Sequence, residues 1–425
     1  MAMKLANRDV EAAIGLLKLL FGSEFARRFS IRFWDGTTIP AAEQADFEFS
    51  VNTPFALRAA FTPPLDLNPG RAFVERYVDI AGDVEAAVDT FAQALERLPK
   101  TALPLIAFRL ARAPRPPSDQ GVRQARLRGK LHSRVRDAAA IGFHYDQPLA
   151  FYQAFLDPAL VYSCAYFDEG VSSLEEAQRA KIDYIFRKIR LMPGERLLDI
   201  GCGWGALVIA AAQRGARALG ITLSRAQYEE AARRIAALGL EGRAEVQLRD
   251  YRELGDEIFD KVVSVGMVEH VGRSRLQRYF EAVFAALRPG GLFLNHGIAD
   301  QTPKRRGIRA SGFIDRYVFP DGDLVAVSDS NAIAERVGFE VRDVENLREH
   351  YVRTLRAWVA NLESRYEEVV RITDERTYRI WRLYMAGSAQ GFNRGRMGLF
   401  QTLLAKPDAH GHAGVPMTRR DLYVS

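Results

Sequence analysis

Hydrophobic and polar positions divide the chain into two stretches with different rhythms. From about Arg196 onward, short apolar runs alternate with longer segments whose apolar residues recur every three or four positions. The runs Leu197–Ile200, Ala218–Ile221, Ala244–Leu248, Lys261–Val265 and Leu292–Asn295 predict strands. Ala206–Gln213, Arg225–Leu238 and Arg275–Ala286 predict helices between them, and Pro289-Gly290-Gly291 turns the last helix into its strand. Strands separated by crossover-sized helices point to a mostly parallel sheet covered on both faces, an α/β fold. The first hundred residues are less regular. Val10–Phe21 has helical spacing, Asp46–Leu57 partly alternates, Gly70 ends an element, and Ala72–Leu98 reads as helix. Clustered prolines mark Arg112–Gly121 as a linker, with a basic helix over Val122–Ala140 after it. This predicts a smaller amino-terminal α/β domain over 1–110, a basic linker and helix over 111–140, and a larger α/β domain over 141–425.

Composition agrees with a globular chain: 425 residues, 48% hydrophobic and 26% charged. No apolar stretch approaches the length a bilayer requires. The run Ala12–Phe21 is short, interrupted by Lys18 and without a small-residue cleavage site, which predicts no secretory leader and a cytoplasmic protein. Cys164 and Cys202, the two cysteines, fit a reducing compartment and provide neither a disulfide framework nor a metal-ligand cluster. The net charge of +6 is uneven: Arg97–Arg136 holds eleven Lys/Arg residues against one acid, Asp119. Such a block is either a solvated face or a surface for polyanions. No zinc-finger spacing or RNA-binding aromatic motif accompanies it, so an anionic membrane is favoured over nucleic acid.

Candidate chemistry begins at Asp199-Ile200-Gly201-Cys202-Gly203-Trp204-Gly205, between the first strand and its helix. Gly201, Gly203 and Gly205 permit unusual backbone angles and close approach of a ligand, and the crevice beyond a strand's carboxyl end is the usual ligand position in open sheets. A dinucleotide site favours an acid after the second strand. Here that end reads Gly220-Ile221-Thr222-Leu223-Ser224, with the neutral amide of Gln227 one helical turn later. Asp250 after the third strand can accept from an adenine amino group, Tyr251 can pack near the ring, and Asp199 can meet an amino group directly or through water. That combination suits S-adenosylmethionine better than a nicotinamide dinucleotide.

With these residues in view, the chain resembles the cyclopropane-fatty-acyl-phospholipid synthase family and its mycolic acid cyclopropane and methyl-transferring relatives. The resemblance rests on Tyr162-Ser163-Cys164-Ala165-Tyr166-Phe167, Leu198–Gly205, Asp250-Tyr251-Arg252 and Ser264–Gly272. It continues through His296-Gly297-Ile298, Phe313–Pro320, Tyr351–Trp358, Trp381 and Gly387–Arg396, the last two similar to the family's terminal helices. It spans about 145–405. It implies a Rossmann-like S-adenosylmethionine-dependent methyltransferase sheet with lipid-pocket helices. Tyr162, Ser163, Gly201, Gly203 and Gln227 would bind the cofactor, with Asp250 and Tyr251 bracketing the adenine. Cys164, Glu269, His296, Ile298 and Tyr351 would hold a bicarbonate ion. The acceptor would be a cis double bond in an unsaturated phospholipid acyl chain, reached by a peripheral protein on the inner face of the membrane. The resemblance also allows a homodimer.

The chemistry accounts for those groups. An alkene attacking a sulfonium methyl acquires positive charge, and ring closure requires one proton to leave the new methyl. The motifs offer no lysine for that proton, whereas a held bicarbonate can take it. Glu269 would offset the charge, Tyr351 would present an aromatic face, and a dry pocket would prevent capture by water. Without the resemblance, Cys164 fits a small buried hydrophobe, and His296 either orients an anion or satisfies a carbonyl. His270 is assigned a structural role. Phe167, Asn295 and Glu349-His350 depart from the commonest family wording. A fatty-acyl C-methyltransferase giving a methyl- or methylene-branched chain is the alternative to cyclopropane formation.

Overall fold

Along the central strands of the computed structural model, adjacent apolar residues enter opposite cores. Leu197, Val263, Leu294 and Leu403 pack on one face of a sheet, while Leu198, Val262, Phe293 and Leu404 pack on the other. This is the period-two alternation of strands buried on both sides. The structure describes residues 2–117, 127, 129–131, 133–145, 147–301 and 312–423, with side chains from residue 8 onward. Two compact units form, one from Met1–Ala125, Ala310–Val318 and Leu362–Gln390, the other from Arg126–Arg309, Phe319–Asn361 and Gly391–Ser425.

The first unit holds a four-stranded sheet of β1 (Phe29–Phe33), β2 (Thr38–Ile39), β3 (Phe47–Val51) and β4 (Val78–Gly82), in the order β2-β1-β3-β4. Its core is aromatic. Phe29 stacks on Phe47 at 5.1 Å, and Phe91 meets Phe21 and Phe49 at 5.1 and 5.0 Å. Strand β4 corrects the expectation of a helix over Ala72–Leu98. Val78 and Ile80 alternate into the core, and Asp83 caps a separate helix, Val84–Arg97, by accepting from Ala86 N–H. Gly70 likewise ends nothing; it lies inside the helix Asn68–Val74. Arg379 donates to the carbonyls of Phe73 and Val78 and to Asp79, which ties Glu375–Gln390 to this sheet.

The second unit holds a seven-stranded sheet of β5 (Arg196–Ile200), β6 (Arg217–Thr222), β7 (Ala244–Leu248), β8 (Phe259–Val265), β9 (Leu287–Asp300), β10 (Glu340–Asn346) and β11 (Met397–Ala405). The order is β10-β11-β9-β8-β5-β6-β7. Strands β9-β8-β5-β6-β7 are parallel, and β11 and β10 add antiparallel pairs at one edge. The chain leaves β5 toward β6 and β7, then returns to place β8 on the other side of β5. That reversal opens a crevice beyond the carboxyl end of β5. The expected strands and helices of this unit lie where predicted to within a few residues. The antiparallel edge is additional, and Arg394–Arg396 form a turn into β11 after the helix Glu375–Asn393. Of the predicted basic helix Val122–Ala140, residues 134–140 lie in the helix Arg134–Tyr145, but the described residues before it correct the expectation. Gly129, at φ of 99°, and Lys130 and Leu131 form a bend and turn; the other residues of its first half lie outside the described set.

Candidate active site

Strand β5 ends at Asp199 and Ile200, and the following loop turns through Gly201, Gly203 and Gly205 at φ of 81°, 54° and 83°. Side chains are disfavoured at such angles. Gly201 and Cys202 N–H groups both donate to Ile221 O, at 2.9 and 3.1 Å, which fastens the loop to β6. A cleft with about 1190 Å³ of empty space opens there. Tyr162, Ser163, Asp199, Gly201, Gly203, Thr222, Gln227 and Tyr251 line it. The Thr222 hydroxyl donates to Gln227 Oε1 at 2.9 Å, and Ser224 Oγ accepts from Gln227 N–H, so both the start of this helix and its glutamine are fixed. Gly205 caps the next helix rather than lining the cleft. Asp250 is also absent from the lining. Its carboxylate takes Arg252 Nε at 2.8 Å and Nη2 at 2.6 Å. Burial pushes the Asp250 carboxyl up, but these bonds outweigh it and leave it below its ordinary value.

Asp199 has the opposite surroundings. It is 1% exposed, and neither carboxylate oxygen has a hydrogen-bond partner. Burial pushes it up to about 7, against the charge of Lys181. Two further cleft residues escaped the sequence reading. Lys181, from the helix Leu174–Ile189, is a cleft lysine that stands outside the motifs, which themselves offer none. It lies among apolar helical positions and away from the motifs, so its only signal was a cation at a core-facing spacing. His270 also lines this cleft, and burial lowers it to about 4, keeping the ring neutral. Its neighbour Glu269 lines a second, smaller cavity of about 370 Å³. Adjacent helical residues point roughly 100° apart, and here they face different spaces.

Glu269 stands on the short helix Val268–Val271 after β8. Its Oε1 accepts from Ile298 N–H at 2.6 Å, while Oε2 is buried without a partner. Burial pushes this carboxyl up to about 7, partly opposed by the Ile298 bond. His296, two residues earlier on β9, is also 1% exposed. Its Nδ1 meets Gln401 Nε2 at 3.1 Å, and Nε2 has no partner. Burial first, then Lys181 and Lys188, hold this imidazole well below its ordinary value and therefore neutral. With the Gln401 amide nitrogen facing Nδ1 as assigned, Nδ1 accepts and Nε2 carries the proton.

Cys164 and Tyr351 approach from another side. The Cys164 thiol is buried against Ala165 O and Leu347 O, at 3.2 and 3.9 Å, and burial pushes its pKa up. It is a small buried group and no thiolate. Tyr351 N–H donates to the same Leu347 carbonyl, and Leu347 N–H donates to Leu399 O on β11, opposite Ile298. The Leu347 carbonyl thus holds both Cys164 and Tyr351, and its N–H anchors them to Leu399, the β11 residue in register with Ile298, while Gln401 two residues on meets His296. Cys164, His296 and Tyr351 line neither cavity. The spacing of Tyr351, Thr354 and Trp358 has a local reason, since all three share one helix face. Thr354 Oγ1 accepts from Ala165 N–H, His350 Nδ1 accepts from Phe167 N–H, and Trp358 packs 5.1 Å from Tyr162. The helix thereby clasps residues 162–167.

Residues 132–402 match the model of the mycolic acid cyclopropane synthetase family. A "Probable fatty acid methyltransferase" of Pseudomonas putida is 41% identical over 92% of this chain and 95% of its own. Another protein so named, from Mycobacterium tuberculosis, is 42% identical over 71% of each chain. Among solved structures, the cyclopropane synthase MmaA2 from Mycobacterium tuberculosis is 33% identical, covering 63% of this chain and 97% of its own at a TM-score of 0.59. The mycolic acid cyclopropane synthase CmaA1, solved with SAH and CTAB, is 34% identical with the same coverage and TM-score. A cleft at the β5 switch point, a glycine loop and this breadth of similarity converge: the chain belongs to the mycolic acid cyclopropane synthetase family of S-adenosylmethionine-dependent methyltransferases.

Proposed function

We propose that the protein transfers a methylene group from S-adenosylmethionine to the cis double bond of a phospholipid acyl chain, closing a cyclopropane ring. The observation that carries this reading is that Glu269 Oε2 and His296 Nε2 are each buried without a partner in the unit that holds the cofactor cleft. Dry orphan groups are costly unless a ligand satisfies them. A hydrogen-bearing oxyanion such as bicarbonate has the donor that Glu269 lacks and the acceptors that His296 lacks.

S-adenosylmethionine, when bound, supplies an electrophilic methyl group on a sulfonium. Bicarbonate, when bound, supplies a base for the proton lost in ring closure. This chain's residues do the rest. Gln227, Thr222, Ser163, Tyr162, Tyr251 and Asp199 line the cofactor's space, with Gly201 and Gly203 keeping the loop open to it. His296 Nε2–H would donate to the anion and Glu269 Oε2 would accept from it. The Glu269 carboxylate would offset positive charge developing on the acyl carbon, an effect that matters most in the transition state. Rings of Tyr152, Phe155, Tyr162, Trp204 and Trp358, with centroids 4.7–6.1 Å apart, exclude water that would trap that charge.

No helix among the described residues is long and apolar enough to cross a membrane. The exposed apolar face with basic neighbours on the helix Leu103–Arg112 supports access to the acyl chain from the bilayer surface.

A second reading, acyl C-methylation without ring closure, is favoured by two observations. Glu269 Oε1 already holds the Ile298 amide that would otherwise serve the anion, and the relatives at 41–42% identity bear the name fatty acid methyltransferase. Purified protein incubated with S-adenosylmethionine and monounsaturated phospholipid decides between them. Ring closure predicts a gain of one CH2 with cyclopropyl proton signals and loss of the olefinic signals. A branched chain with its double bond kept or moved overturns the ring, and no transfer overturns both.

A further inference from the structure

Strands β9 and β11 run antiparallel, and the opposed pairs Leu294–Leu403, His296–Gln401 and Ile298–Leu399 share one face of the sheet. Leu294 and Leu403 belong to the core on that face. A polar pair therefore interrupts an apolar stripe. His296 is 1% exposed and Gln401 0%, so water reaches neither and each must be satisfied within the protein. Gln401 Nε2 meets His296 Nδ1 at 3.1 Å, the one side-chain hydrogen bond that either residue makes among the described residues. A histidine that works at a site is commonly oriented from behind by a carboxylate or carbonyl, which takes an Nδ1–H. Here the group behind Nδ1 is an amide nitrogen, which donates and cannot accept. The charges acting on the ring come from Lys181 and Lys188 on the helix Leu174–Ile189, and both disfavour an imidazolium. Its strand neighbours in register, Val265 on β8 and Gln401 on β11, carry no charge.

Given the reading of His296 as a donor to a bound oxyanion, we infer that Gln401 is a positioning residue for it. By donating to Nδ1, the Gln401 amide keeps the ring neutral with its single proton on Nε2, so that His296 serves the ion as a donor and is not the base in ring closure. The Nδ1 lone pair is occupied by the amide and Nε2 already bears hydrogen. No lone pair of the ring is left to receive the proton that leaves the new methyl, and that proton passes to the bound ion. An amide suits this task better than a carboxylate, which would draw the proton to Nδ1 and turn a bare Nε2 toward an anion.

Nitrogen NMR of the ligand-free full chain, isotope-labelled in its histidine rings, reads the tautomer directly, with the His296 signals identified by their loss in His296→Phe. The expected ring has hydrogen on Nε2 and none on Nδ1, unchanged from about pH 6 to about pH 8. Hydrogen on Nδ1, or an imidazolium in that range, overturns the inference whatever becomes of any variant. Gln401→Glu gives a second readout. With a carboxylate behind Nδ1, the imidazolium still donates from Nε2, but the neutral ring does not. Turnover of the variant relative to wild type should therefore fall by about tenfold or more as pH rises across that range, with S-adenosylhomocysteine affinity within about twofold at each pH. A constant ratio of turnover would make Gln401 a packing residue and overturn the inference. Should Gln401→Glu not fold, Gln401→Leu keeps the volume and removes the donor. A ring still held wholly as Nε2–H in that variant, with turnover within about twofold of wild type, would overturn the inference equally. If the wild type shows the expected tautomer yet yields only branched chains, the ring-closing reading falls while the hold of Gln401 on His296 stands.

Discussion

Glu269 is a buried carboxyl with one oxygen on Ile298 N–H and the other without a partner. If its proposed benefit arises as positive charge develops, Glu269→Gln lowers turnover by about 100-fold or more while cofactor affinity stays within about twofold. Equal losses in turnover and affinity would place Glu269 in ground-state binding instead. The same residue has a pH signature. Burial raises its folded pKa to about 7 from an ordinary 4.5, so the folded state holds the proton more tightly than the unfolded state. The stability this confers is present below about pH 4.5 and is lost as pH rises to about 7. Glutamine cannot titrate, so the variant gains stability relative to ligand-free wild type across that window, by at most about 3 kcal/mol. Chemical denaturation at about pH 5 and about pH 8 checks it, and a difference that shrinks with rising pH would contradict the burial of an ionisable carboxyl. At this scale the sequence was legible where chemistry and motif coincided, as at Asp199, Gln227 and Glu269. It was silent at Lys181, because a cation on a core-facing helical position announces itself only once the neighbouring segment is folded against it.

Elements explain how the two cavities stay distinct yet coupled. The helix Val268–Val271 sends Glu269 toward one cavity and His270 toward the other, and Gly297 on β9 lets that helix come close. A Cβ at position 297 would lie 2.3 Å from Val268 Cγ1, far inside contact, and valine has little rotamer freedom with which to yield. Gly297→Ala therefore displaces the helix and with it the Glu269–Ile298 bond. The expected result is a turnover loss of about tenfold or more with cofactor affinity nearly kept, and Val268→Ala in the same chain restores most of the activity. Lack of rescue by the second substitution would show that the fault lies elsewhere. The parallel strands were readable because each is a short apolar run between helices. The antiparallel strands β10 and β11 were not. Glu340–Asn346 has one buried residue, Asp343, and no apolar stripe, and Met397–Ala405 follows a long helix without a crossover pattern. In the first unit, β4 was hidden because five residues between two helices look like a continuation of either.

At the scale of the molecule, the proposed acceptor is an acyl chain of a membrane phospholipid, and a protein acting on it needs a surface that meets lipid. Leu103, Leu105 and Phe108, 49%, 43% and 52% exposed, lie on the outer side of the helix Leu103–Arg112, where exposed Ala107 and Ala111 add to an apolar face. Lys100, Arg112 and Arg115 border it, Arg112 sits 4.3 Å over the Phe108 ring, and no acid occurs from Arg97 to Ser118. Apolar residues ringed by cations match an anionic bilayer, where each nearby cation contributes about 1 kcal/mol and a buried phenyl ring about 1.5–3 kcal/mol. Phe108→Glu removes the ring's share and adds a repelled charge. The variant should bind vesicles containing phosphatidylglycerol at least about tenfold more weakly than the wild type in cosedimentation. Added salt should weaken the wild type as well, because the electrostatic part is screened within a Debye length. Activity on detergent-dispersed lipid should survive the substitution, since the cleft and the Glu269 cavity lie in the other unit. Unchanged vesicle binding would remove this face from membrane contact, and a shift in oligomeric mass in place of a binding loss would assign it to a second copy of the chain.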